Sequence, residues 1–247
     1  MRGNIENLKD RTILVTGASR GIGLAIARAC AEEGAKTLLT ARDRAALRRA
    51  AAETPGSEAF AADLTKQGDV ARLFARLRRR FRHLDALINS AGVFTFKPFV
   101  RTTLADWEKN LGANLTALFL ATRAALPLLE RGPSPHIVNI LSIASRTAFP
   151  KCSAYAASKF GALGFTRVLA AELTGIRVTA ILPGTTDTRM ANEFDFPIDR
   201  STLLQPDDIA QAVLGALLQP ARATVNEIVL MPSQGTVGER RQAARKR

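Results

Sequence analysis

The chain has 247 residues, 47% hydrophobic and 23% charged, a balance that fits one large globular α/β domain. No stretch approaches the roughly 20 apolar residues of a membrane span, the polar opening MRGNIENLKDR lacks a secretory core and makes the cytoplasm the expected compartment, and Cys30, Cys152, His83 and His136 offer neither a disulfide framework nor a metal-ligand spacing. A net charge of +13, from 35 Lys and Arg against 22 Asp and Glu, leaves a polyanionic partner to be weighed.

In chain order, apolar runs predict strands at Thr12–Thr16, Thr37–Ala41, Ala59–Asp63, Ala86–Asn89, His136–Leu141, Arg177–Leu182 and Glu227–Met231. Helical patterns fall near 22–33, 43–53, 66–82, 103–129, 153–173 and 206–219. This interleaving implies right-handed βαβ crossovers and a single doubly wound Rossmann-type domain, its mostly parallel seven-stranded sheet covered by helices on both faces. Runs such as Ile13-Leu14-Val15 are apolar without alternation, as strands buried on both faces should be. The domain is expected over 1–237, with a basic tail over 238–247. Arg72, Arg76, Arg78, Arg79, Arg80 and Arg82 punctuate the helical spacing of Val70, Leu73, Phe74, Leu77 and Phe81, so they read as a solvated helix face rather than a nucleic-acid site. The one long irregular stretch, 183–205, reads as a lid or binding loop.

After the first strand comes Thr16-Gly17-Ala18-Ser19-Arg20-Gly21-Ile22-Gly23, which then opens a helix. Glycines there permit a tight turn and bring the backbone close to a pyrophosphate lying on the helix N-terminus. Their spacing, G-x-x-x-G-x-G, differs from the G-x-G-x-x-G dinucleotide fingerprint, but the strand-turn-helix setting suits a nicotinamide cofactor. At the end of the second strand, Arg42 and the turn's Arg20 would pair with a 2′-phosphate, favouring NADP(H) over NAD(H). Asp43 opposes that reading unless it serves as the N-cap of the next helix.

The single tyrosine, Tyr155, stands four residues before Lys159, and i and i+4 share a helix face. A neighbouring ammonium would stabilise a phenolate and suit the tyrosine to general acid/base work, although such pairs also occur on helix surfaces. Ser142 lies just past an apolar strand, at the carboxyl edge where parallel sheets bind ligands, and its hydroxyl would donate to a carbonyl oxygen as charge develops. Ser145 competes for that role.

Together Thr16-Gly17-x-x-x-Gly21-Ile22-Gly23, Asn89-Ser90-Ala91-Gly92, Asn114, Ser142, Tyr155-x-x-x-Lys159 and Pro183-Gly184 resemble the short-chain dehydrogenase/reductase family, in order from about residue 9 to 235. The resemblance implies that Tyr155 is the general acid/base, that Lys159 binds the nicotinamide ribose, and that Ser142 holds the substrate oxygen. Asn114 would kink its helix and fix a water relaying protons to Lys159. Gly17, Ser19, Arg20, Gly21, Ile22, Gly23 and Arg42 would hold the phosphates, and Asp63 and Leu64 the adenine. Asn89, Ala91, Gly92, Pro183, Gly184 and Thr186 would line the cofactor, with Thr188 at the carboxamide. No metal is implied. Ser90 departs from the usual second Asn and should weaken its turn. The connection Leu173–Ile176 is short, as is the loop after Thr188, which implies an open, poorly lidded pocket. Ala171 stands where carrier-protein-dependent 3-oxoacyl reductases show a basic residue.

The expected activity is reversible, NADP(H)-dependent hydride transfer between a nicotinamide and a small-molecule carbonyl or secondary alcohol. The alternative is a catalytically silent nicotinamide sensor on the same fold. Phe94, Phe96, Phe149, Phe194 and Phe196 are candidate substrate contacts or simple packing, with Phe149 and Pro150 placed nearest the catalytic helix. The family resemblance further implies a homo-oligomer, commonly a homotetramer packed through the two long central helices.

Overall fold

A computed structural model describes residues 7–234. Seven parallel strands make one sheet: β1 (Thr12–Thr16), β2 (Lys36–Ala41), β3 (Glu58–Ala61), β4 (Ala86–Asn89), β5 (His136–Ile140), β6 (Arg177–Pro183) and β7 (Glu227–Leu230), in the order β3-β2-β1-β4-β5-β6-β7. Seven helices connect them: α1 (Gly21–Glu32), α2 (Arg44–Ala52), α3 (Gln67–Arg80), α4 (Leu104–Leu111), α5 (Ala117–Leu129), α6 (Ser153–Glu172) and α7 (Pro206–Leu217). The sheet is parallel throughout. The expected elements are all present, with no outer end shifted by more than two residues. The third strand stops at Ala61 rather than Asp63, because the Asp63 carboxylate accepts from the Thr65 backbone and hydroxyl at 3.1 and 2.7 Å and turns the chain out of the sheet. The tail expected over 238–247 lies outside the described residues.

Alternate residues of each strand feed opposite cores. Ile13 and Val15 face α1 and α7 through Ile26, Ile209 and Val213. Leu14 and Leu87 face α3 and α5 through Phe74, Leu77, Ala121 and Ala125. Burial on both faces explains the unbroken apolar runs of the strands. The sheet winds outward from β1 in one direction and from β4 in the other, so a crevice opens at the carboxyl ends of these two neighbours.

The helix expected as a single rod over 103–129 is divided by a π turn at Gly112–Thr116. The whole run Leu104–Leu129 is long and apolar enough, by length and composition, to cross a membrane, which corrects the expectation that no stretch approaches a span. Its apolar stripe is committed instead to the sheet, where Ala117, Ala121, Ala125, Leu128 and Leu129 are buried. On α3 the Val70, Leu73, Phe74 and Leu77 side chains are buried and the arginines face out, as the spacing predicts. Arg76 and Arg80 lie over the Phe60 ring, 4.9 and 5.7 Å from its centroid.

Candidate active site

The glycine turn is held by close backbone contacts. A Cβ on Gly17, whose φ is +67°, would lie 2.8 Å from the Ala91 Cα, and one on Gly23 would lie 2.6 Å from the Gly17 carbonyl oxygen. Thr16, at the end of β1, accepts hydrogen bonds from the Ser90 and Ala91 N–H groups at 3.0 and 3.1 Å. The Ser90 turn is therefore held by its backbone and a threonine outside the motif, so the missing second Asn does not leave it unsupported. The first turn of α1 has no side-chain cap, in contrast to α2, where Asp43 accepts from the Ala45 and Ala46 N–H groups at 3.1 and 3.0 Å. Asp43 thus acts as an N-cap, and these bonds, with Arg20 3.9 Å away, hold its carboxyl below the usual range. Arg20 and Arg42 are both exposed at this edge. Ser19 and Ile22 are partly buried in the turn, and Leu64 is buried beside Asp63.

Asn89 is fastened from below: its Nδ2 donates to Thr122 and to Asn139, and Asn139 donates onward to Thr166 at 2.9 Å. Its Oδ1 is a buried acceptor with no hydrogen-bond partner among the described residues, and Asn89 lines a small cleft with Thr16, Asn114 and Leu141. Glycine-cradled backbone, an uncapped helix start and an unused acceptor form a chemical match to a dinucleotide. Across the crevice, Thr188 packs toward Gly21, with its Cγ2 3.4 Å from where a Cβ there would stand. Gly184, near Pro183 at the end of β6, is packed so closely that a Cβ would meet Pro232 at 2.8 Å. Thr186 donates back to the Gly184 carbonyl at 3.2 Å.

On the other side of the crevice, the Ser142 hydroxyl stands beside the Tyr155 phenol and favours its ionised form. Ser142 also accepts from the Ala144 N–H at 3.1 Å. Ser145 is buried at 1% exposure, so of the two serines it is Ser142 that meets the phenol. Lys159 lies 5.8 Å from the Tyr155 ring centroid and donates to the Ile140 carbonyl at 3.1 Å. Burial pushes the phenol up to about 12, held back by the Ser142 hydroxyl, and pushes the ammonium down to about 8. Tyr155 thus lies above its ordinary value rather than below it as the spacing led one to expect, because burial outweighs the favourable contact with Ser142.

Asn114, inside the π turn, uses its side chain as a brace. Its Oδ1 accepts from the Val93 N–H at 2.8 Å, and its Nδ2 donates to the Val93 carbonyl and to Ser158 at 3.0 and 2.9 Å. Ser158 in turn donates to the Tyr155 carbonyl at 2.7 Å. Gly92 fits beneath, where a Cβ would lie 3.0 Å from the Asn114 Oδ1.

The sequence profile of short chain dehydrogenases matches residues 11–196. The chain belongs to that family. This short chain dehydrogenase is 35% identical to a protein named sepiapterin reductase from Chlorobaculum tepidum, over 91% of this chain and 97% of the relative. It superposes with a TM-score of 0.85 on an alcohol dehydrogenase from Thermococcus sibiricus complexed with 5-hydroxy-NADP, at 27% identity over 91% and 97% of the two chains. A metagenomic short-chain oxidoreductase in complex with NADP gives a TM-score of 0.78 at 32% identity, over 92% and 99%.

In this dehydrogenase the structure gathers the expected glycine turn, the Asn89–Gly92 turn, Asn114, Ser142, Tyr155 and Lys159 around one crevice. The bonding roles of Thr16 and Ser158 were missed: Thr16 was read only as the opening residue of the glycine motif, and Ser158 is visible only as the residue before Lys159. The segment after Thr188 folds as two short 3₁₀ turns and packs Phe194 and Phe196 against Phe94 and Phe96. The Lys151–Asp195 ion pair, at 2.5 Å, ties that segment to the loop before α6. Phe149, expected nearest the substrate, stays outside this ring cluster.

Proposed function

We propose that this short chain dehydrogenase interconverts a carbonyl compound and a secondary alcohol, with NADP(H) as its cofactor. The observation that carries the reading is Tyr155 standing beside the glycine-cradled crevice with Ser142 next to its phenol and Lys159 5.8 Å from its ring. When bound, NADPH supplies a hydride. Tyr155 gives its phenol proton to the substrate oxygen, and Ser142 donates to the same oxygen as negative charge gathers there. Lys159 stabilises the phenolate that results and recovers influence over it when substrate and cofactor ring exclude water. Asn114 and Ser158 fix the backbone beside Tyr155 and Phe94, which keeps donor and acceptor aligned. Arg20 and Arg42 favour a 2′-phosphate, and the NADP-bound structural neighbours support that choice.

The test is cofactor oxidation followed by absorbance, NADPH beside NADH, across 3-oxoacyl thioesters, diketones, quinones and aldehydes. Turnover with NADPH and little with NADH is expected. Tight NADPH binding without turnover on any carbonyl would overturn the enzyme in favour of a cofactor-sensing protein. Exposed Phe119, Phe160 and Val168 on α5 and α6 further support a homo-oligomer packed through these helices, which sedimentation would reveal.

A further inference from the structure

Beside Tyr155 stands a cluster of aromatic rings drawn from two distant loops. Phe94 meets the Tyr155 ring edge-on, with centroids 4.8 Å apart and planes at 79°. Phe194 lies 5.2 Å from Phe94 and 5.0 Å from Phe96, and Phe196 closes the group at 5.8 Å from Phe96 and 5.3 Å from Phe194. All four phenylalanines are only partly buried, so the cluster presents ring surface beside Tyr155 rather than sealed core.

The wall is held on both sides. Asn114 grips the Val93 backbone one residue ahead of Phe94. The Lys97 N–H donates to the Lys151 carbonyl at 2.7 Å, which ties the loop after β4 to the loop before α6. Lys151 reaches over the Phe96 ring at 5.2 Å and pairs with Asp195, between Phe194 and Phe196. Lys97 pairs with Asp106 at 2.5 Å. Both lysines flanking the rings are therefore neutralised by carboxylates, and neither is left to select a phosphate or carboxylate on a substrate.

Resting on the reductase reading, we propose that the substrate is a neutral, flat aromatic ketone whose ring seats against Phe94, Phe96 and Phe194 while its carbonyl meets Tyr155 and Ser142. A carbonyl held by those two hydroxyls must place one substituent beside Phe94. Aromatic rings pack edge-to-face or offset at these spacings, and an aryl group gains that complement in addition to its buried area. A saturated ring gains the area alone. A polyhydroxylated substrate would desolvate its hydroxyls against four rings that accept no ordinary hydrogen bond.

The test compares phenyl and 2-naphthyl methyl ketones with their fully saturated counterparts, which have the same carbon skeletons. Binding is measured by calorimetry on the protein saturated with NADP⁺, and kcat/KM with NADPH. The aryl member of each pair is expected to lead by about tenfold in affinity and in kcat/KM, the size of one favourable aromatic contact. Phe194→Ala should bring that ratio toward one, and Phe194→Tyr, which restores a ring, should recover it. Because Phe194 stands on a loop, Phe96→Leu provides a second variant with the same expectation.

Equal handling of aryl and saturated ketones by the parent protein, or a ratio unmoved by both Phe194→Ala and Phe96→Leu, overturns the proposal, as does binding of neither member. Selective aryl binding without any reduction keeps the aromatic wall and removes the reductase reading. Reduction without aryl preference does the reverse.

Discussion

On the cofactor side of the crevice, contacts run from backbone to backbone: Gly17 against Ala91, Gly23 against the Gly17 carbonyl, and the Ser90 and Ala91 amides onto Thr16. On the substrate side they run from ring to ring, between loops about a hundred residues apart in sequence, latched by the exposed Lys151–Asp195 ion pair. The first side tolerates almost no added atom. The second is made of side chains that can be exchanged while the loops still meet. A family can therefore keep one half of its site and vary the other, because a pyrophosphate asks for backbone amides whereas a substrate asks for shape.

The sharpest way to test the division is at its border. Tyr155→Phe removes the proton donor while keeping the ring against Phe94, so turnover should fall about 10²–10⁴-fold with NADPH still bound in a fluorescence titration. A full-rate variant would remove Tyr155 from the chemistry. Gly17→Ala attacks the backbone side alone. Its methyl would meet Ala91 at 2.8 Å in a left-handed conformation, and a stability loss of about 1–3 kcal/mol is expected, together with weakened NADPH binding. A variant that melts and binds like the parent would break the claim that this side is held by close backbone contact.

Lys159→Met separates stability from function. In the folded chain burial holds the ammonium near 8, below its ordinary 10.5, so the unfolded chain binds more protons between those values and stability rises with pH across that window. The methionine variant should lose activity, gain about 1–3 kcal/mol of ligand-free stability near neutral pH, and show a flatter urea midpoint from pH 8 to 10. A midpoint with the parent's slope would place the titration elsewhere. The smallest effect belongs to the exposed charges: Arg42→Ala should raise the KM for NADPH about tenfold, one charge-assisted contact, while that for NADH moves less. Equal shifts for both cofactors would deny Arg42 the 2′-phosphate.

Much of this was legible before the structure. The apolar runs of β1, β4 and β5 announced a doubly buried parallel sheet, and the spacing from Ser142 to Tyr155 and Lys159 announced one site, because a helix and a strand end leave those side chains few places to go. Bonds whose partners are distant in sequence were not legible. Nothing about Ser158 signals that Asn114 reaches it across 44 residues, and no pattern joins Phe94 to Phe194. The short loop after Thr188 gave no sign of the rings it brings to Phe94 and Phe96, because loop length says little about what the rings at its tip can touch. The direction of the Tyr155 shift was missed for a related reason, since burial is a property of the packed fold and not of the Tyr-x-x-x-Lys spacing.

The π turn at Gly112–Thr116 makes the chain's sensitivity to a lost residue depend on where the loss falls. An α-helix advances about 100° per residue, and a π turn accommodates one residue more than the regular winding. Deleting a single residue here would let α4 and α5 wind as one regular helix, with α5 still anchored by Ala121, Ala125 and Leu128. The residues ahead of the turn would keep their facing, because the lost residue is the one that the wide turn absorbs. Asn110, fully buried and bonded to Thr95 at 2.8 Å, would stay in its place. One codon lost inside the turn would therefore spare both ends of the helix and unseat only the brace from Asn114 to Val93, whereas the same loss within α4 would turn Asn110 out of the core by about 100°.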